Sequence, residues 1–356
     1  MQILAVASAF PEYYYTQREL IDAFIRYWGP LVAESGQDAR KMQLFHHNVG
    51  VDGRYLARPI ETYVSLTFGE ANDIWIETAH RLGAEAVTTA LSRAGIRPDQ
   101  PGAILFTSVT GVSSPSIDAL LVNTLGLSRH IRRTPIFGLG CVAGASGIAR
   151  AADYVRAYPD QYVILLSVEL CSLTLQRDDV SPANLISTGL FGDGAAAVIV
   201  AGKDCPVTTP LPGVQIVDTL PTFYPDTEDT MGWRISERGF RIILSPNVPD
   251  VIAENVGRDL NELLARNGLT RADIGNWILH TGGPKILRGT QHALGITEAD
   301  LATTWDCLRR MGNLSSASVL MVLEETMLHR RPAPGTWSIL GAMGPGFCSE
   351  LLLLRW

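Results

Sequence analysis

This 356-residue sequence has no basic excess, no long apolar run and no regularly spaced cysteines, and each absence excludes a class of function. Lysine and arginine total 29 against 36 aspartates and glutamates, a formal charge of −7, so nothing in the overall field points to nucleic acid. An anionic substrate must therefore be met by a local cationic patch. The five cysteines (141, 171, 205, 307 and 348) lack the pairwise spacing of metal sites, and their odd number argues against a disulfide framework. A reducing cytoplasm fits this pattern and would keep a thiol usable as a nucleophile. The opening MQILAVASAF lacks a basic leader and reads as a first strand, not a signal peptide. The apolar run Leu351 to Leu354 is far too short to span a bilayer and reads as a buried last strand.

With 46% hydrophobic and 18% charged residues, the chain has a soluble globular composition and length for two domain-sized halves. Helical periodicity runs through roughly 16–35, 71–94, 141–157, 248–267 and 313–329. Apolar strand-like runs lie near 103–108, 162–170, 194–201, 276–280, 336–341 and 348–355. This alternation predicts α/β layers with buried strands. The Pro-, Thr- and Asp-rich stretch from 202 to 235 reads as the connection between halves spanning 1–205 and 206–356.

Cys141 stands in Phe-Gly-Leu-Gly-Cys-Val-Ala-Gly-Ala-Ser-Gly, residues 137–147, where an apolar strand ends in glycine and small residues open a helix. A helix start offers unpaired N–H groups and a dipole that favour a thiolate. Taken alone, the residue fits buried packing equally well. Two further segments alter that balance: Trp-Ile-Leu-His-Thr-Gly-Gly-Pro-Lys (277–285) and Met-Gly-Asn-Leu-Ser-Ser-Ala-Ser (311–318). Ser108 and His280 follow equivalent strands 172 residues apart, and Cys141 and Asn313 open equivalent helices at the same offset. Each half then closes on a glycine turn and an apolar strand, at Gly192–Gly194 and at Gly344–Gly346. Three pairings in the same order imply a duplicated fold. Cys141 and Asn313 are then expected at matching helix starts across a pseudo-twofold axis, with His280 alongside.

At these residues the sequence resembles the thiolase-fold condensing enzymes, and within them the type III polyketide synthases, the chalcone synthase-like family. The markers are Gly140-Cys141, Leu190-Phe191-Gly192-Asp193-Gly194-Ala195-Ala196-Ala197, His280-Thr281-Gly282-Gly283-Pro284, Gly312-Asn313-Leu314-Ser315-Ser316-Ala317 and Gly344-Pro345-Gly346. The resemblance covers nearly the whole chain. It implies a homodimer of thiolase-like αβαβα five-layered sandwiches that uses CoA thioesters and needs no metal or organic cofactor. Its chemistry would be acyl transfer from CoA to cysteine, iterative decarboxylative Claisen extension with malonyl-CoA, and cyclisation.

The same resemblance implies roles for particular residues. Cys141 would be the nucleophile and His280 its partner, because larger depressions of a thiol pKa from about 8.5 need a nearby imidazolium. His280 and Asn313 would meet the enolate oxygen formed on loss of CO2; as an uncharged residue, Asn313 would not repel the malonyl group. A helix-capping role is also open to Asn313. Phe191 would orient malonyl-CoA, and core packing is its alternative. Cys171, Thr174, Ile242, Ser315 and Met343 would line the cavity, with Gly344, Pro345 and Gly346 as a rigid wall. Lys41, Gly282 and Lys285 would meet CoA, whereas Leu44 and Asn48 stand where plant members carry cations. Ile242 at the gate and Cys171 in the wall, with the segments from Met231 and Glu169, look like bacterial and fungal members that make alkylresorcinols or alkylpyrones. The expected starter is a medium- or long-chain fatty acyl group.

Overall fold

A computed structural model describes residues 1–34, 39–207, 209 and 212–356, with the side chains of 31 and 39–42 outside the description. The first half contains β1 (Gln2–Ala9), β2 (Tyr13–Thr16), α1 (Gln17–Glu34), α2 (Ala39–Asn48), β3 (Gly53–Leu56) and α3 (Phe68–Ala94). It continues through β4 (Pro101–Thr107), α4 (Ile117–Leu125), β5 (Arg132–Ile136), α5 (Ala143–Ala157), β6 (Tyr162–Leu170), α6 (Pro182–Leu190) and β7 (Asp193–Ala201). The second half holds β8 (Val214–Phe223), β9 (Met231–Ser236), β10 (Gly239–Leu244), α7 (Val248–Arg266) and β11 (Ile274–Leu279). It ends with α8 (Pro284–Leu294), α9 (Ala302–Met311), α10 (Ser316–His329), β12 (Trp337–Gly344) and β13 (Cys348–Arg355).

Strand alternation builds the layers. In β6, Ile164, Leu166 and Val168 pack outward with α3, while Val163 and Leu165 face α5 and α10. In β13, Leu352 and Leu354 join that central core, while Leu351 and Leu353 face α7 and α8. Period-two side-chain direction thus lets each half of the sheet serve two cores. The result is the expected five-layered αβαβα sandwich, with α5 and α10 as its middle layer. The strands run β11-β12-β13-β8-β1-β7-β6-β4-β5, the halves meeting where Gln2 and Ile3 pair with Gln215 and Val214.

The stretch 202–235 is more than a connection. It carries β8, a central strand paired with β13 along eight positions, and β9, which pairs with β10 as a hairpin. Interleaved Pro, Thr and Asp obscure β8 in the sequence, yet Val214, Ile216 and Leu220 alternate into the cores. Among the described residues no helix is long and apolar enough to cross a membrane.

Candidate active site

Cys141 lies in the 3-10 turn Gly140–Val142 that leads into α5. Gly140 adopts φ +54°, and a Cβ there would meet Pro345 Cδ at 2.7 Å. A Cβ on Gly344 would fall 2.6 Å from the Leu139 carbonyl oxygen and 2.7 Å from Val142 N. The terminal Gly-Pro-Gly therefore abuts the backbone that carries Cys141, an approach only glycine allows. Met343 lines the cavity, whereas Gly344, Pro345 and Gly346 do not.

His280 follows β11, its N–H donating to the Gly341 carbonyl at 3.0 Å. Thr281 Oγ1 donates to the Gly312 carbonyl at 3.2 Å, which ties the histidine turn to the asparagine turn. Asn313 does not cap α10. Its Oδ1 accepts from Ser315 N–H at 2.8 Å, and Ser315 is the helix-flanking residue. This assigns the amide: with Oδ1 held, Nδ2 is the group left to donate. Ser315 also accepts a hydrogen bond from Cys141 Sγ at 3.6 Å, and it holds φ +47°, a strained value for a residue with a Cβ. One strained serine thus links the thiol and the amide.

Cys141, His280 and Asn313 line one cavity of about 640 Å³, with Phe191, Gly282, Lys285 and Met343 on the same wall. Cys171, Thr174 and Ile242 are not brought into it. They line a separate compartment of about 60 Å³, and Phe191, on the wall of both, is the partition. The exposed Lys285 and Asn48 mark the mouth of the large cavity; Lys285 Nζ donates to the Pro246 carbonyl at 3.4 Å. Leu44 is exposed on α2. The side chain of Lys41 lies outside the described residues.

Electrostatics depart from the thiolate expected at a helix start. Burial pushes the Cys141 thiol up to about 12, partly offset by the Ser315 hydrogen bond. Burial also holds the His280 imidazole down to about 4. Each group is therefore kept neutral by its own surroundings, because desolvation at 8% and 7% exposure outweighs a helix-end field of about 0.3–1 kcal/mol.

Sequence reasoning missed two buried groups. Glu169, at the end of β6, accepts from Thr110 Oγ1 at 3.0 Å, Val109 N–H at 3.1 Å and Ser316 Oγ, and its charge acts on Cys141. Burial raises its carboxyl to about 7. Arg54 is buried below α6, where it donates to the carbonyls of Thr188 and Gly189 just ahead of Phe191. A lone acid in the apolar run 162–170 was the available signal for Glu169. Among the described residues no group of three or more His, Cys, Asp or Glu is placed to hold a metal ion.

Residues 1–204 match the family described as chalcone and stilbene synthases, N-terminal domain, and residues 215–356 match its C-terminal domain. The chain is 45% identical over 358 residues to a 1,3,6,8-tetrahydroxynaphthalene synthase of Streptomyces peucetius subsp. caesius, covering 99% of this chain and 93% of the relative. It is 31% identical over 362 residues to a 3,5-dihydroxyphenylacetyl-CoA synthase of Streptomyces toyocaensis, covering 100% and 90%. In structure it is similar to 1,3,6,8-tetrahydroxynaphthalene synthase from Streptomyces coelicolor A3(2), a bacterial type III polyketide synthase. That match has a TM-score of 0.92 at 28% identity and covers 100% of this chain and 99% of the other.

Proposed function

The chain belongs to the chalcone and stilbene synthase family of type III polyketide synthases, condensing acyltransferases that use CoA thioesters, and on that premise we propose how it works and on what. It loads a medium- or long-chain fatty acyl starter on Cys141, extends it with malonyl-CoA and cyclises the chain to an alkylpyrone or alkylresorcinol. The observation that carries this reading is a thiol, an imidazole and a free amide N–H2 on the wall of one largely apolar cavity.

Loading begins with Cys141 Sγ attacking the starter thioester carbonyl while its proton passes to the neutral imidazole of His280. The S–acyl bond forms, the carbonyl–CoA sulfur bond breaks, and CoA leaves as its thiol with that proton. Malonyl-CoA then loses CO2, and the electron pair left on carbon spreads to the thioester oxygen. Asn313 Nδ2–H and the His280 ring N–H donate to that oxygen. The enolate carbon attacks the acyl-cysteine carbonyl, a C–C bond forms, the C–S bond breaks, and Cys141 is freed for the next round. Phe191 beside Asn313 orients the malonyl group, and Lys285 with Gly282 receives CoA at the mouth. The duplicated halves 1–205 and 206–356 supply the nucleophile and the donors respectively, in a homodimer.

A second reading follows from the name of the 45% identical relative: a hydroxylated naphthalene as the product, which carries no alkyl arm. Mass spectrometry of products from malonyl-CoA alone, then with octanoyl-, dodecanoyl- and p-coumaroyl-CoA, separates the readings. Alkylated products support the first. A naphthalene product from malonyl-CoA alone, with alkanoyl-CoAs ignored, supports the second.

A further inference from the structure

Two helices of the second half, packed side by side, carry apolar stripes that share one buried cluster with β13. On α8, Leu287, Thr290 and Leu294 recur at helical spacing, and on α7 Ile252 and Val256 do the same. Such faces ordinarily pack against the sheet they cover until no space is left. Here both line the cavity that holds Cys141, His280 and Asn313, with Leu351 of β13 on the same wall. All six of these residues are at most 5% exposed, so this arm of the cavity runs inward from the mouth at Lys285 and Asn48.

The arm has a length and an end. From Pro284, four residues after His280, to Leu294 is ten helical steps, about 15 Å at about 1.5 Å each. At the far end α7 and α8 touch through glycine: a Cβ on Gly257 would lie 2.8 Å from the Ala293 carbonyl oxygen, so the helices close beside Val256 and Leu294. Thr290, 3% exposed, holds a buried hydroxyl without a partner on this helix face. Inside a filled core such a hydroxyl costs stability. The compartment beyond Phe191 offers a tenth of the volume, about 60 Å³.

We propose that the alkyl arm of the acyl starter lies along α8, in the slot that α7, α8 and β13 line, and that Val256 and Leu294 set the longest chain accepted. The proposal rests on the acyl-starter reading above and assigns the arm a direction away from Cys171, Thr174 and Ile242. An extended alkyl chain advances about 1.25 Å per carbon, from a C–C bond of about 1.52 Å near the tetrahedral angle, so the slot takes about twelve carbons.

The test loads Cys141 of the full chain with butanoyl-, octanoyl-, dodecanoyl- and hexadecanoyl-CoA and reads acyl-enzyme by intact mass spectrometry. Leu294→Trp fills the inner end and is expected to lower the dodecanoyl-to-butanoyl loading ratio by about tenfold or more, as a blocked pocket discriminates by about 1–3 kcal/mol per methylene. Thr290→Leu, which fills the slot midway and removes the unpartnered hydroxyl, is expected to lower the octanoyl-to-butanoyl ratio, and it keeps the test open if the tryptophan variant does not fold. Ile242→Trp, in the small compartment, is expected to leave both ratios within about twofold of wild type. A wild-type enzyme that loads long chains, with ratios unmoved by Leu294→Trp and Thr290→Leu or moved only by Ile242→Trp, overturns the slot assignment alone. A wild-type enzyme that loads no alkanoyl chain yet condenses malonyl-CoA overturns the starter reading, and the assignment with it.

Discussion

Phe191 and Asn313, one in each half of the chain, are locked together through their backbones as a parallel bridge. Asn313 N–H donates to the Leu190 carbonyl at 2.9 Å, and Gly192 N–H donates to the Asn313 carbonyl at 3.0 Å. The aromatic partition of the cavity and the amide donor therefore move as one unit. Gly312 and Gly192 permit this approach, since a Cβ on either would run into backbone of the other segment.

Because Ser315 N–H holds Oδ1 of Asn313, the amide donor is aimed before substrate arrives. Asn313→Ala is expected to slow malonyl-CoA decarboxylation by about 10²–10³, the worth of one preorganised donor, while acylation of Cys141 by a starter persists. Separate assays of CO2 release and acyl-enzyme mass check this.

Ser315→Ala removes the hydrogen bond that partly offsets burial of Cys141. The thiol is expected to move further up, and alkylation of Cys141 by iodoacetamide at fixed pH to slow by about two- to tenfold, equivalent to about 0.5–1.5 kcal/mol. The pH dependence of alkylation reads the direction directly.

Gly344→Ala places a methyl against Leu139 O and Val142 N, backbone atoms that have no rotamer to escape by. The turn bearing Cys141 must shift. Overpacking of this kind costs about 1–3 kcal/mol, so we expect a lower thermal midpoint together with loss of acyl loading. Unchanged loading in a folded variant would show that the Gly-Pro-Gly turn does not position the cysteine.

His280 is held at about 4 in the fold against about 6.5 unfolded. Between those values the unfolded chain binds the extra proton, so stability rises with pH across the window and is lost as pH falls through it. At pH 5 the loss is about 2 kcal/mol. His280→Gln is expected to flatten that part of the acid limb in urea unfolding measured at pH 7 and pH 5. Buried His46, held at about 3, has the same sign and stays in place in this variant.

Arg54 donates to Gln17 Oε1 and the Gly189 carbonyl at 2.6 Å, and to the Thr188 carbonyl. The nearby Asp193 carboxylate accepts from Ala57 N–H at 2.6 Å and Ser172 N–H at 2.8 Å. Each charge partly offsets the other's burial. Arg54→Met leaves Asp193 as an uncompensated buried charge, at about 3–5 kcal/mol. The expected result is a urea midpoint shifted down with an unchanged slope.

Much of the molecule was legible without coordinates. Strands such as 162–170 and 348–355 declare themselves by apolar length and period, and the 172-residue offset pairs the Cys141 and Asn313 turns before any contact is known. Covalent spacing and local periodicity are properties of the chain itself, so the sequence by itself determined the layered fold, the family and the three polar residues on one wall. Contacts between distant elements are not properties of that kind. Phe191 separates Cys171, Thr174 and Ile242 from Cys141 only because α6, β7 and the Asn313 turn converge on it. The periodicity over 248–267 reads as an ordinary helix, and only the way α7 and α8 sit on β13 leaves the slot beside them. Protonation was also decided in three dimensions: a helix start favours a thiolate, but the depth at which Cys141 and His280 are buried keeps both neutral.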